Sequence, residues 1–333
     1  MKRKNFKHWG LFIALQFITL SLFAQGPNNT GTYYQNANGK KGKALKTAMF
    51  NIIKTHEELS YKGLWTAFRT TDMREDGKVW DMYSCTTNYR FGTDQAGSYK
   101  KEGDAYNREH SFPKSWFSEA TPMYTDLVHL VPTDGKVNGM RSNYPFGETD
   151  GGKYKSNEGF SKLGSCTYPG YTGIVFEPND MYKGDFARIY FYMATAYEDK
   201  IANWNTKEFA PIASHYSYKP YKDWQMNMLM EWSKKDPVSQ KEINRNKGIQ
   251  SLQKNRNPFV DYPGLEEYIW GSMTDVAFSY DNYQGVTSIP FIEFEAEPIY
   301  PKGWYNLNGQ KVGEECPTQK GIYIHNGKKM VVE

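Results

Sequence analysis

Leu45, Met49, Ile52, Ile53 and His56 recur at three- to four-residue intervals, which predicts an amphipathic helix over residues 42–57. Phe186, Ile189, Tyr190, Met193 and Tyr197 form a second stripe. It predicts a helix over 185–198 with Asp185 as N-cap. Trp224, Met228, Leu229 and Trp232 predict a third helix over 224–234, facing inward. A strand is expected at 79–83, after the Asp76-Gly77 turn signal. Gly and Asn punctuate residues 147–173. Stripes of this kind are core packing, so they place a fold and not a function.

The two ends differ from this middle. An apolar run over 11–24 follows Lys2, Arg3, Lys4 and Lys7, and Ala24-Gln25 offers a cleavage point. This is the layout of a signal peptide, too short for a membrane anchor. No other stretch is apolar enough to span a bilayer. Residues 25–40 are rich in Asn, Gly and Gln and read as a flexible lead-in. After Trp270, residues 271–292 read as a linker. Residues 293–333 then read as short strands, with hairpin signals at Asn308-Gly309 and Asn326-Gly327. The expected order is a signal peptide at 1–24, a main domain at 25–270, the linker, and a small β-rich module.

Composition changes this picture in one respect. Aromatic residues make up 16% of the chain, with 26 tyrosines, which suits surfaces that bury area yet keep polar tips wet. Charge removes an easy argument. The chain has 41 Lys+Arg against 37 Asp+Glu, and four of the basic residues lie in the leader, which leaves 37 of each. A generally basic body is therefore absent, and any phosphate recognition falls to local groups and a metal ion. An oxidising compartment permits one disulfide, and Cys85–Cys166 is the expected pair, with Cys316 left over. None of the three has zinc-ligand spacing.

The densest polar chemistry is Asn107-Arg108-Glu109-His110-Ser111-Phe112-Pro113, then residues 126–132, then Asn138-Gly139-Met140-Arg141-Ser142-Asn143. On an extended backbone Glu109 and His110 point to opposite faces. Glu109 could then meet a cation while His110 meets a water. A neutral imidazole takes a proton near physiological pH. A hard cation such as Mg2+ needs only one or two protein oxygens, which Glu109 and Asn138 can supply. If residues 134–143 form a short helix, Asn138 and Arg141 share a face, with Arg141 toward phosphate. That helix must stop before Pro145.

These three segments together resemble the endonuclease I family of secreted and periplasmic bacterial nucleases. Glu177-Pro178 with Lys183-Gly184-Asp185-Phe186-Ala187-Arg188 is similar to a second family block. Asp236-Pro237-Val238, Asn244-Arg245-Asn246 and Asn255-Arg256-Asn257-Pro258-Phe259-Val260-Asp261 are similar to a third. The blocks run in family order over residues 45–270. The resemblance implies an α+β fold: a mixed helical domain around a ββα-metal nuclease core, here with a small C-terminal β-module. It also implies His110 as general base and Mg2+, or another divalent cation, held by Glu109 and Asn138. The implied substrate is DNA, with RNA as a further one, cut by a secreted monomer with little sequence preference.

Two positions depart from the family. Val128 stands where some members have His, and His129 beside it is an alternative orienting residue. Some members place a phosphate-contacting Arg between the base and the next Asp, where residues 116–126 have none. That role passes to Arg141, Arg188 or Arg108. Asp126 reads as a cap or buried acceptor, and residues 255–261 as a turn against the core. The tail resembles C-terminal modules of exported Bacteroidetes proteins, which suggests surface retention. The competing readings are an RNA-preferring ribonuclease and a non-catalytic surface binding protein, which would not need Glu109, His110 and Asn138 together.

Overall fold

The computed structural model describes residues 26–85, 88–95, 99–285, 303–306, 311–315, 317–325 and 328–332. The expected signal peptide lies outside them. Two compact units divide at Val286 and Thr287.

In the larger unit, α1 (Gly42–Ile53) buries Leu45, Met49 and Ile53 as the stripe requires. It stops four residues short of the expected end, where partners distant in sequence take over from the helix ladder. Asn255 donates to the Ile53 carbonyl at 3.1 Å, and the Glu57 amide goes to Gln253. A short helix not expected from the pattern, α2 (Leu64–Thr71), follows. Residues 79–83 are not a strand and make only the isolated bridge between Met73 and Val79. Asp81 instead accepts from the Tyr83 amide at 2.8 Å and from the Asp134 amide at 2.9 Å.

The centre is a ββα unit. Strand β1 (Tyr106–His110) pairs antiparallel with β2 (Leu130–Asp134), with Glu109 opposite Val131 and His110 opposite Leu130. Helix α3 (Gly135–Arg141) starts at once, because Asp134 caps it by accepting from the Val137 amide at 2.9 Å. Gly135 is required there by close approach: a Cβ would lie 2.5 Å from the Tyr99 ring. The helix ends at Ser142, ahead of Pro145, as expected.

A three-stranded antiparallel sheet, β3 (Tyr154–Lys155), β4 (Lys162–Ser165) and β5 (Ile174–Glu177), follows in that order. Helix α4 (Lys183–Ala196) is buried from Gly184 to Ala196, all round and not on one stripe. Asp185 lies in its first turn and not at the N-cap, where its carboxylate accepts from Lys241 at 2.7 Å. Helix α4 packs on α5 (Asp223–Lys235), which buries Trp224, Met228, Leu229 and Trp232. Helix α6 (Gln240–Gln253) was not legible from apolar spacing, since its buried positions include Glu242, Arg245, Asn246 and Gln253. It opens with a Ser239/Glu242 capping box. Two short helices close the domain, α7 (Pro258–Asp261) and α8 (Leu265–Ile269).

Both segments expected to be loose are packed. Tyr34 in the lead-in is fully buried and donates to Asp261 at 2.7 Å. Residues 271–285, expected as linker, lie on the domain: Phe278 is buried and its backbone pairs with Gly39 and Lys40. Apolar anchors in otherwise polar segments account for both corrections. Cys85 and Cys166 are not bridged: the Cys85 thiol faces the Asn157 carbonyl at 3.5 Å and Cys166 faces Tyr168 at 3.7 Å.

The smaller unit is an antiparallel sheet of β6 (Trp304–Tyr305), β7 (Lys311–Gly313), β8 (Gly321–His325) and β9 (Lys328–Val332), in the order β7-β6-β8-β9. The two expected Asn-Gly turns lie outside the described residues. Among the described residues no helix is long and apolar enough to cross a membrane.

Candidate active site

The alternation of β1 sorts the chemistry onto two faces. Glu109 turns toward α3. Its Oε1 accepts from Tyr83 Oη at 2.9 Å and from Arg141 Nη1 at 2.8 Å. Asn138, on α3, is among the groups that pull the Glu109 carboxyl down. Asn107, two residues before Glu109 on the same face, accepts from Asn138 Nδ2 at 2.5 Å. That contact engages the amide nitrogen of Asn138 and not its Oδ1. Burial pushes the Glu109 carboxyl up to about 7, against the opposing pull of Arg141 and its hydrogen bonds.

His110 points the other way. Its Nε2 lies 3.0 Å from the Tyr124 carbonyl oxygen. A carbonyl can only accept, so Nε2 carries the hydrogen and Nδ1 holds the lone pair. Burial, with His129, Lys114 and Arg108 nearby, pushes the imidazole down to about 3, so it is neutral at physiological pH. Tyr61 and Tyr124 stack beside it, with ring centres 6.1 and 5.3 Å from the His110 ring. His129 is fully buried, 5.5 Å from His110 between ring centres, and bonds the Met123 carbonyl at 2.7 Å. It supports the loop behind the base.

The expected trio of Glu109, His110 and Asn138 is thus assembled by one strand and one helix. The two expected arginines are not at its surface. Arg141 is 1% exposed. Besides Glu109 it bonds the carbonyls of His110 at 3.0 Å and Ser111 at 2.6 Å. Arg188 is buried in a fork with Glu242, at 2.6 and 2.8 Å, joining α4 to α6. Neither guanidinium faces a phosphate, because each is enclosed by acceptors of its own. Asp126 is the buried acceptor expected: it takes hydrogen bonds from Tyr192 at 2.8 Å, Tyr197 at 2.7 Å and Gln253 at 2.8 Å. Sequence reading assigned no role to Tyr83 or Asn107. Asn107 could have been found from strand alternation, whereas Tyr83 arrives from a distant loop.

The profile of the Endonuclease I family matches residues 41–264, which include every element of this site. The chain belongs to the endonuclease I family. It is a phosphodiester-hydrolysing endonuclease, and its substrate is nucleic acid. It is 37% identical to an extracellular ribonuclease of Bacillus amyloliquefaciens over 73% of this chain and 79% of that protein. It is 30% identical to endonuclease-1 of Buchnera aphidicola over 41% of this chain and 46% of that protein. A periplasmic deoxyribonuclease of Aeromonas hydrophila is 29% identical over 43% of this chain and 50% of its own length.

The remaining family blocks are scaffold. Arg245 donates to the carbonyls of Leu127 and Leu130 at 2.7 Å and Val128 at 3.2 Å, tying α6 to the approach to β2. Arg256 pairs with Asp261, and Asn257 donates to the Arg188 carbonyl at 3.0 Å. Glu177 accepts from the Thr149 amide at 2.8 Å and from Lys183 at 2.7 Å.

Proposed function

We propose that this endonuclease is exported, depends on Mg2+ or a similar divalent cation, and cuts DNA and RNA with little sequence preference. The observation that carries the reading is a neutral His110 with its Nε2 committed to Tyr124, back to back with a buried Glu109 beside Asn138.

In this reading His110 Nδ1 takes the proton of a water as that oxygen attacks phosphorus. The far P–O ester bond then breaks. The Tyr124 carbonyl fixes the tautomer, and Tyr61 and Tyr124 hold the ring plane. Such base assistance is worth about 10²–10⁴-fold.

Glu109 and Asn138 fit a hard cation. Both offer oxygen, and Oε1 is committed to Tyr83 and Arg141, so Oε2 is the carboxylate oxygen left. Burial raises the Glu109 carboxyl, and a cation beside it would favour the charged form. Among the described residues no group of three or more His, Cys, Asp or Glu side chains could hold a metal. Two ligands with waters suit Mg2+. A bound divalent cation supplies positive charge to the phosphate under attack. Tyr83 and Arg141 hold the carboxylate, and Asn107 orients the amide.

Export is supported by the basic and apolar leader and by relatives named extracellular or periplasmic. The C-terminal module is a candidate for surface retention. Cleavage of RNA is favoured by the higher identity and coverage of the Bacillus ribonuclease than of the deoxyribonuclease. Digestion of plasmid DNA and total RNA by the mature chain tests the reading. Cleavage of both is expected, with Mg2+ response weakened in Glu109→Ala and Asn138→Ala. Unchanged Mg2+ titrations in both variants would remove them as ligands.

A further inference from the structure

With Arg141 and Arg188 enclosed, the substrate phosphate needs another cation. Of the arginines in the described residues, Arg74, Arg90, Arg141, Arg188, Arg245 and Arg256 are each paired with a carboxylate. Arg69 and Arg108 have no ion pair among those residues. Arg69 lies over Phe91. Arg108 lies two residues before His110 on β1, and so on the same face.

Arg108 is also held still. Its guanidinium carbon lies 3.6 Å from the centre of the Tyr61 ring and 4.4 Å from that of Trp65. One nitrogen, Nη1, donates to the Tyr61 carbonyl at 2.6 Å. The other donors of the fork meet no acceptor among the described residues. Tyr61 meets His110 as well, so one ring sets the position of both the cation and the base. Lys114, the other cation beside the base, is paired with Glu119 at 2.8 Å. A planar fork held against two rings, half-buried and without a carboxylate, matches the geometry of a phosphate diester.

We infer that Arg108 binds the phosphodiester presented to His110, with Tyr61 and Trp65 as the clamp that orients its guanidinium. The assignment rests on the endonuclease reading. It moves the phosphate contact from the family's insertion onto β1.

The test is steady-state cleavage of single-stranded oligonucleotides over a range of salt by the full chain. Wild type is compared with Arg108→Met, which keeps a stem over both rings, Arg108→Lys and Arg108→Ala. Arg108→Met should lower kcat/KM about 10- to 100-fold at unchanged melting temperature. Its plot of log kcat/KM against log salt should flatten by about 0.7 for each phosphate that the variant no longer neutralises. Arg108→Lys should fall between, because an ammonium keeps charge and loses the fork. Wild-type kcat/KM and salt slope in Arg108→Met would overturn the assignment. So would a defect confined to Arg108→Ala, which would make the residue a packing element. A wild-type chain that cleaves no nucleic acid would instead overturn the endonuclease reading, and this assignment with it.

Discussion

Arg141 donates to Glu109 Oε1 at 2.8 Å, and both side chains are shut off from solvent. This contact makes an arginine expected at the phosphate the holder of Glu109, the proposed cation ligand. Arg141→Met leaves Glu109 buried beside no counter-charge. Stability should fall by about 3–5 kcal/mol, as for other broken buried pairs. Mg2+ affinity should fall with it. Denaturant melts and metal titrations read both. A variant of native stability with only a raised KM would return Arg141 to the substrate.

The raised Glu109 carboxyl couples metal to protons. In the metal-free protein the group holds its proton up to about pH 7, against an ordinary value of 4.5. Below pH 7 a cation must displace that proton. Mg2+ affinity should then weaken by about ten-fold per pH unit below 7 and level off above it. Calorimetric titration at pH 6 and pH 8 measures this, and equal affinities at the two would contradict it. Without metal the sign for folding is the reverse. The native state holds the extra proton between 4.5 and 7, so this group's contribution to stability declines as pH rises through that window.

Arg188 should matter to folding and not to chemistry. Arg188→Met strands Glu242 in the interface of α4 and α6 and should cost about 3–5 kcal/mol. The double variant with Glu242→Met should recover part of that stability and not all, because Glu242 also closes the capping box of α6. Specific activity per folded molecule should stay at the wild-type level in the double variant. A folded but inactive double variant would place Arg188 in the reaction.

Lys46 gives a second pH signature, away from the site. Its ammonium is fully buried on α1, 3.5 Å from Glu198, and burial pushes it from 10.5 down to about 8. Below pH 8 the group is charged in both states, and the cost of burying that charge is present in full. Between 8 and 10.5 the unfolded chain holds more protons, so stability should rise with pH across that interval. Comparing melts of wild type and Lys46→Met at pH 7.5 and 9.5 isolates the effect. The difference between them should move toward wild type as pH rises, and a constant difference would refute it.

The sequence was most legible where burial and apolar character coincide, as in α1, α4 and α5 with their aromatic and methionine stripes. Helix α6 escaped because its inner face is Glu242, Arg245, Asn246 and Gln253, paired by residues from other elements. Segments 26–40 and 271–285 looked loose because one buried ring each, Tyr34 and Phe278, is a weak signal among polar neighbours. Within the site, strand alternation separated Glu109 from His110, and the helix after Asp134 brought Asn138 to Glu109. The arginines could not be sorted in advance. An arginine that meets carbonyls and one that meets phosphate have the same side chain, and only the fold delivers the His110 and Ser111 carbonyls to Arg141.

In the proposed reaction a neutral His110 takes the proton of the attacking water in a cation-dependent cleavage. Single-turnover cleavage of DNA and RNA by wild type and His110→Ala, in Mg2+ and in EDTA, tests it most directly. Wild type should cleave in Mg2+ and not in EDTA. In His110→Ala the rate per folded molecule should be lower by about 10²–10⁴-fold, with unchanged Mg2+ affinity. Cleavage by His110→Ala at the wild-type rate, or wild-type cleavage that persists in EDTA, would contradict it.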